Sequence, residues 1–368
     1  MELSLNASLL ASALLAVSAC AIDPEPASTS TETSALTFYD KNGDPCPKLG
    51  CGSNSPYLGA EFHELDWTGA QANAEGFRLL SLEKLNPPNM VPDTYRPIVT
   101  GGVLSGVSTT PNVPDLHGVA LTDAYFVVTN DNTRESFHIL ITHVSNSQLF
   151  WRAPTQSLET YELKWRPALS GATVPRPLCT NPPNDKMDPD VAQIVSPLEA
   201  ILFTGDRYDR TTLRVSATRP RASGTWFNIA CSGNVMSKLF LNRHTAASET
   251  AAFPTTLEMR QAMLKMYTSD VCGTGDAFTV QGTPLLWVNT AGWTSSVSYS
   301  HPEAMWNSQG AVCLTTHRLH SGANDMTDAY TPVCKKAQHA LPPCPVAFDA
   351  AAMVGMGAYL RTYSPAPL

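Results

Sequence analysis

The stretch Ser157-Leu158-Glu159-Thr160-Tyr161-Glu162-Leu163-Lys164-Trp165-Arg166 shows most clearly how this chain folds. Its aromatic and aliphatic residues Tyr161, Leu163 and Trp165 alternate with charged residues, so that the apolar side chains share one face. A period of two is typical of a β-strand with one buried face. Such one-sided burial is common in antiparallel sheets.

Further strands are predicted on both sides of that stretch, over residues 76–82, 124–130 and 136–144. The turn formers Asn42-Gly43 and Gly101-Gly102 separate predicted strands. We therefore expect residues 36–167 to form a mostly antiparallel β domain, either a sandwich or a barrel.

Residues 168–189 are rich in proline and turn formers, and we predict a linker there. Residues 190–346 combine strand patterns with three predicted helices, at 227–241, 257–267 and 300–310, which indicates a mixed α+β domain with disulfides. Thr255 with Glu258, and Ser300 with Glu303, have the spacing of helix capping boxes. Residues 347–368 are expected to be a C-terminal tail, and the overall fold class is α+β.

Composition excludes several classes of protein. The net charge is -8 over 368 residues and the sequence contains no basic tract, so nucleic acid is not an expected partner. The single long apolar run lies at the N-terminus, which excludes a multi-span membrane protein.

That run, residues 9–17, fits the core of a signal peptide and is too short to cross a bilayer. It leads into Val17-Ser18-Ala19-Cys20, which resembles the lipobox of bacterial lipoproteins. The resemblance implies that residues 1–19 are a signal peptide and that Cys20 carries lipid. The absence of Asp after Cys20 then favours the outer membrane. Ordinary secretion, with cleavage after Ala19 or Ala21, is the alternative.

Residues 20–35 are rich in Pro, Ser, Thr and acidic residues, and we predict a flexible tether. The chain would then reach the cell envelope with its folded part held away from the membrane.

The chain has nine cysteines, and eight remain once Cys20 is set aside. An even number in an exported protein indicates disulfides. Short loops favour Cys46–Cys51 and Cys334–Cys344, and the longer bridges would be Cys179–Cys231 and Cys272–Cys313, although spacing leaves other pairings open. Because no CxxC pair is present and the cysteines are widely spread along the chain, we expect no zinc site. We also expect no cofactor.

The run 260–273, which ends in Ser269-Asp270-Val271-Cys272-Gly273, carries a family resemblance. Together with segments 226–231, 277–280, 303–306 and 310–314 it resembles the ADYC domain, a family of exported proteins found in myxobacteria. Two of the four signature residues match, Asp270 and Cys272. The resemblance spans about 175–345 and implies an exported, cysteine-bridged domain, without implying an activity.

Three sets of residues are candidates for chemistry. Ser232 with His244 and Asp270 or Asp276 could form a hydrolase triad, although Ser232 lacks a GxSxG elbow. Histidines near the end of the predicted α+β domain, with one glutamate, could ligate a metal; these are His301, Glu303, His317 and His320. Residues 40–44 resemble the start of a calcium loop, but an Asn-Gly turn explains them more simply.

The favoured hypothesis is a noncatalytic, lipid-anchored envelope protein that acts as a binding or structural module, with an envelope protein or glycan as its ligand. An envelope hydrolase acting on peptidoglycan, polysaccharide or protein is the alternative. A calcium-stabilised adhesin is a third hypothesis.

Overall fold

The structure is a computed structural model of the 368-residue chain. The residues that it describes are 33–34, 56–57, 60–86, 91–152, 155–169, 174–179, 199–209, 214–216, 225–231, 235–246, 254–273, 283–295, 299–316 and 341–364. Strands dominate these ranges and every strand pair is antiparallel. The predicted α+β class with disulfides is compatible with this content, and the sandwich or barrel stays a prediction.

The strands are short except in the first half of the chain. In chain order they are β1 (Thr33–Ser34), β2 (Pro56–Tyr57), β3 (Ala60–Glu61), β4 (Glu64–Asp66), β5 (Phe77–Asn86), β6 (Val91–Thr100), β7 (Val103–Ser108), β8 (Leu116–His117), β9 (Ala124–Asn130), β10 (Ser136–Leu149), β11 (Ser157–Pro167), β12 (Arg176–Pro177), β13 (Ala200–Thr204), β14 (Arg207–Asp209), β15 (Arg214–Ser216), β16 (Trp226–Cys231), β17 (Thr283–Pro284), β18 (Leu286–Asn289), β19 (His301–Asn307), β20 (Gly310–Leu314) and β21 (Leu360–Ser364).

Three α-helices accompany the strands in the described ranges. They are α1 (Val235–Leu241), α2 (Leu257–Thr268) and α3 (Ala350–Gly355). The predicted helix at 257–267 is confirmed as α2. Its N-cap is Thr256, whose hydroxyl accepts a hydrogen bond from the Met259 amide at 3.2 Å, so the predicted capping box was placed one residue too early.

One large sheet contains most of the strands. Its order is β4-β16-β13-β11-β10-β9-β5-β6-β7-β8, with β12 paired beside β11. The strands predicted over residues 76–82, 124–130, 136–144 and 157–166 are all members, as β5, β9, β10 and β11. Their inward side chains form one core with those of β4, β13 and β16.

Strand β11 connects distant parts of this sheet. Inward-facing Tyr161 has no solvent exposure, and its hydroxyl accepts a hydrogen bond from the Leu104 amide of β7 at 2.7 Å. The same hydroxyl donates to Glu159 at 2.7 Å. The sheet is therefore bent enough for β11 to meet β7, which lies five places away in the strand order.

The large sheet continues past the predicted linker. Tyr161 of β11 pairs with Ala200 of β13, and β13 pairs with β16 along its whole length. Residues Glu32–Leu368 form one compact unit. The segments predicted as two domains, 36–167 and 190–346, thus share one sheet.

A second sheet has the order β18-β21-β19-β20, and α2 packs between it and α1. Its strand β19 corrects the prediction of a helix at 300–310. Residues 303–306 are fully buried against β21 and β20, and this burial outweighs the local capping signal at Ser300.

The residues expected to be a C-terminal tail contribute to this second core. Strand β21 lies between β18 and β19, and Leu360 and Thr362 are fully buried. The Trp306 indole donates to the Thr362 hydroxyl at 2.9 Å. The segment 347–368 is therefore partly structural, because a central strand cannot be removed without exposing both neighbours.

The prediction of a helix at 227–241 was also too long, since 226–231 form β16 and the helix begins at Val235.

Two disulfide pairs are described. Cys179–Cys231 confirms the predicted bridge and ties the chain after β12 to the end of β16. The second pair is Cys313–Cys344, so the predicted Cys272–Cys313 and Cys334–Cys344 were wrong. Cys344 approaches β20 because the Leu314 amide donates to the Pro342 carbonyl at 3.0 Å. Cys272 is also disulfide-bonded, and Cys20, Cys46, Cys51 and Cys334 lie outside the described residues.

The contact between β11 and β7 predicts the effect of one substitution. Tyr161→Phe removes the acceptor of the Leu104 amide and leaves a buried N–H without its partner. We expect the free energy of unfolding in urea to fall by about 1–3 kcal/mol. Tyr95→Phe is the matched control, because Tyr95 is also buried and its hydroxyl makes no hydrogen bond with the described residues. Equal losses for both variants would contradict the proposed role of the Tyr161 hydroxyl.

Candidate functional site

The four residues that resemble the family signature form the loop that ends α2. Ser269 adopts the left-handed conformation with φ of 52°, and its amide donates to the Met266 carbonyl at 3.1 Å. The Asp270 amide donates to the Lys265 carbonyl at 2.9 Å. This loop, residues 269–273, is hereafter called the signature loop, and its backbone satisfies the last carbonyls of the helix.

A buried ion pair fastens the signature loop to its own helix. The Lys265 ammonium contacts the Asp270 carboxylate, and their side chains are 3% and 0% exposed. A buried charge without a partner is strongly destabilising, so each group here requires the other. The signature aspartate therefore has its charged partner on α2 itself.

Glycine allows the signature loop to touch the turn between β19 and β20. Gly273 has φ of +67°, and a Cβ there would lie 2.0 Å from the Gln309 carbonyl oxygen. The Ala311 amide donates to the Val271 carbonyl at 3.1 Å. Close backbone contact of this kind excludes any side chain at position 273.

A second buried ion pair fixes the opposite end of α2. The Arg260 guanidinium donates to Asp206 at 3.1 Å and to the Thr255 carbonyl at 3.0 Å. Asp206, in the turn before β14, has no solvent exposure and also accepts from the Ala246 amide at 3.0 Å. Both ends of the helix are therefore held by charges that come together only in the folded chain.

His244 lies beside this helix and is completely buried. Its Nδ1 atom lies 2.7 Å from the Asn242 carbonyl oxygen, so Nδ1 carries the proton, and Nε2 accepts from the side-chain amide Nδ2 of Asn289 at 3.2 Å. The rings of Trp287 and Trp293 meet the imidazole edge-on at 5.3 and 5.6 Å. Both ring nitrogens of His244 are therefore hydrogen-bonded to other protein groups, as is typical of a histidine with a structural role.

The electrostatics of this site keep His244 neutral. Burial is the main cause that lowers the pKa of His244 to about 4; the hydrogen bond to the Asn242 carbonyl raises the pKa, and the positive charges of Arg152 and Arg260 add to the lowering. The ring is uncharged at neutral pH, and this is the only state that its apolar neighbours accommodate at low cost.

The residues proposed for a hydrolase or a metal site are distributed as follows. The Asp270 carboxylate is paired with the Lys265 ammonium, and the ring nitrogens of His244 are hydrogen-bonded to Asn242 and Asn289. His301 is on the surface at the start of β19, whereas Glu303 is buried on the same strand. Across the described ranges, no three His, Cys, Asp or Glu side chains lie together as metal ligands. Ser232, Asp276, His317, His320 and residues 40–44 lie outside those ranges.

The sequence predicted none of the three buried ion pairs, and the third joins the most distant residues. Arg207 of β14 donates to Glu64 of β4 at 2.8 Å, and its guanidinium lies 3.7 Å from the centre of the Trp226 ring. The two charged residues are 143 positions apart in sequence. Neither residue lies in a local sequence pattern that indicates burial, so the sequence alone does not predict their pairing.

The chain matches one family model in the comparisons with known proteins. Residues 118–320, more than half of the chain, match the sequence profile of the ADYC domain. This match begins before the expected segment of 175–345 and includes β9, β10 and β11. No curated protein and no solved structure matches the chain. Among the helices that the structure describes, none has the length and apolar character needed to cross a bilayer.

The close approach at Gly273 predicts a measurable cost of substitution. Gly273→Ala is expected to lower the free energy of unfolding by more than about 2 kcal/mol, because it adds a steric clash to an unfavourable positive φ. Gly292→Ala is the control, since Gly292 has φ of +76° with nothing within 4 Å of its Cβ position. Unfolding in urea would show whether Gly273→Ala costs more than Gly292→Ala. Equal losses of unfolding free energy in the two variants would mean that the close contact with the Gln309 carbonyl does not add to the cost at position 273.

The buried neutral state of His244 predicts a pH dependence of stability. In the unfolded chain the imidazole takes up a proton near the ordinary histidine pKa of 6.5, whereas in the folded chain it does so near 4. The unfolded state therefore binds more protons between these values, and acid favours unfolding. The shift corresponds to about 3 kcal/mol of stability lost as the pH falls from 7 to 4.

The measurement compares urea unfolding at several pH values for the native chain and His244→Gln. The difference in stability between pH 7 and 4 should be smaller in His244→Gln, whatever its stability at pH 7. His301→Gln, which changes a surface histidine, should retain the native pH dependence. An unchanged pH dependence in His244→Gln would contradict the assignment.

Proposed function

The chain belongs to the ADYC domain family, and from this premise we propose that it is an exported, disulfide-stabilised envelope protein that acts by binding or as a structural module. The observation that supports this proposal most directly is the bridge Cys179–Cys231, buried in the core of the large sheet. Disulfides form and persist in oxidising compartments outside the cytosol.

The chemistry of the charged groups around α2 favours binding over catalysis. Lys265 with Asp270, and Arg260 with Asp206, are buried and paired, and both ring nitrogens of His244 are hydrogen-bonded. A catalytic acid or base must reach a substrate, whereas these groups are enclosed by protein. Their role in this proposal is to hold α2 between the two sheets.

The second part of the proposal concerns attachment to the membrane. Residues 1–19 act as the signal peptide, Cys20 carries the lipid, and residues 20–35 serve as the tether. In this arrangement the lipid holds the protein at the membrane, in an outer-membrane location that faces either the periplasm or the outside. The folded unit remains free to meet an envelope protein or glycan.

The experiment is intact-mass analysis of the full-length gene product extracted from membranes, with Cys20→Ser as the control variant. We expect a chain that begins at Cys20 and carries acyl groups, and we expect Cys20→Ser to leave the membrane fraction. Alkylation before reduction should label none of the eight other cysteines, and alkylation after reduction should label them all.

Two results would contradict parts of the proposal separately. A cleaved, unacylated chain in the extracellular fraction would support export and overturn the lipid anchor. An uncleaved chain whose cysteines are all alkylated without reduction would overturn export itself.

A further inference from the structure

The face of the large sheet that points away from its core carries an unusual set of side chains. On β5, β9 and β10 the residues between the core positions include aliphatic and aromatic groups where polar ones are typical of a solvated sheet face. They are Leu80, Tyr125, Val127, His138 and Leu140. Leu80 is 56% exposed and the others are half-buried. These five residues are hereafter called the outer-face patch.

Two rings form the centre of the outer-face patch. The ring centroids of Tyr125 on β9 and His138 on β10 lie 4.8 Å apart with an interplanar angle of 42°. The Tyr125 hydroxyl donates to Glu83 at 2.9 Å, and Glu83 also accepts from Ser81 at 2.7 Å. The aromatic platform is therefore held in position before any ligand arrives.

Charges of both signs surround the outer-face patch. Glu83 lies on one side, and Lys164 lies on the other, 3.0 Å from Glu162. Arg166 is the cross-strand neighbour of His138, and it makes no ion pair or hydrogen bond with any residue that the structure describes. Two acidic and two basic groups leave no net charge, so the rim has no electrostatic preference for a polyanion or a polycation.

His138 has one ring nitrogen, Nε2, that a surface ligand can reach, because its Nδ1 atom is buried. Partial burial and the charge of Arg166 lower its pKa, and Glu83 opposes this effect. In a neutral imidazole the accessible nitrogen is either a donor or an acceptor, and a hydroxyl group can pair with it in both cases. Its Nδ1 atom is buried and makes no hydrogen bond with the described part of the chain.

We infer that the outer-face patch binds an uncharged, extended polysaccharide chain. A pyranose ring has an apolar face, which Tyr125 and His138 can accept, and a rim of hydroxyls, for which Glu83, Arg166 and His138 supply partners. Neighbouring strands lie about 4.8 Å apart, close to the length of one sugar unit. A flat chain can therefore contact successive strands. This inference rests on the proposed binding module and names its ligand class.

The test is isothermal titration of the full chain with two neutral probes, the β-1,4-linked hexasaccharides of N-acetylglucosamine and of glucose. At least one should bind, and Tyr125→Ala should weaken that binding about tenfold or more. Tyr125→Phe keeps the ring and should bind nearly as the native protein does. Tyr299→Ala, which changes a half-buried tyrosine outside the large sheet, is the matched control and should bind normally.

Arg166→Ala keeps the inference testable if Tyr125→Ala fails to fold, because Arg166 has no described partner to lose. It should weaken binding while the thermal unfolding temperature stays near the native value. The inference is overturned if neither hexasaccharide binds at millimolar concentration. It is also overturned if Arg166→Ala binds as tightly as the native chain, or if dextran sulfate binds more tightly than both neutral probes.

The outcome is independent of the test of the lipid anchor. An acylated protein that binds neither hexasaccharide would overturn this inference and would still support the proposed envelope location. An unacylated protein that binds one of the hexasaccharides through Tyr125 would support this inference and overturn the proposed lipid anchor.

Discussion

The burial of one face of β11 is the constraint on which the rest of the structure depends. Tyr161, Leu163 and Trp165 point into the core, and this strand pairs with β10, β12 and β13. Its Tyr161 hydroxyl also reaches β7. Shifting the register by one residue would turn all three side chains out of the core and break each of these contacts together. The same alternation places Lys164 and Arg166 on the opposite face, so the core and the proposed binding surface follow from one strand.

Buried ion pairs organise the half of the chain that contains the helices. Lys265–Asp270, Arg260–Asp206 and Arg207–Glu64 are almost fully removed from solvent. Such pairs gain little stability over apolar side chains of similar size, yet breaking one leaves an uncompensated charge. They therefore favour a single arrangement of α2, β13, β14 and β4. The family signature has a structural explanation here, since Asp270 pairs with Lys265 at the end of α2 and Cys272 is disulfide-bonded.

The sequence patterns succeeded where the deciding contacts are local. The strands predicted at 76–82, 124–130, 136–144 and 157–166 correspond to β5, β9, β10 and β11, and the spacing of Thr255 and Glu258 placed the start of α2 to within one residue. Patterns failed where burial decided the structure: Ser300 and Glu303 have capping-box spacing, but 303–306 are enclosed between two strands. Of the two disulfide pairs that can be checked, Cys179–Cys231 was predicted, whereas Cys313–Cys344 was not. The second pair depends on how the segment around Pro342 returns to β20, and spacing does not encode that path.

The order of residues along the chain was enough to predict the apolar face of β11, the position of α2, and an even set of cysteines in a candidate exported chain. These properties depend on side-chain chemistry at neighbouring positions. Folding in three dimensions, by contrast, joins strands of 36–167 and 190–346 in one sheet, makes β21 a central strand and encloses His244 beside two tryptophans. It alone brought Tyr125, His138 and Arg166 together with Glu83. Each of these contacts joins residues far apart in the chain, and folding selects them because burial and hydrogen bonding are satisfied in three dimensions at once.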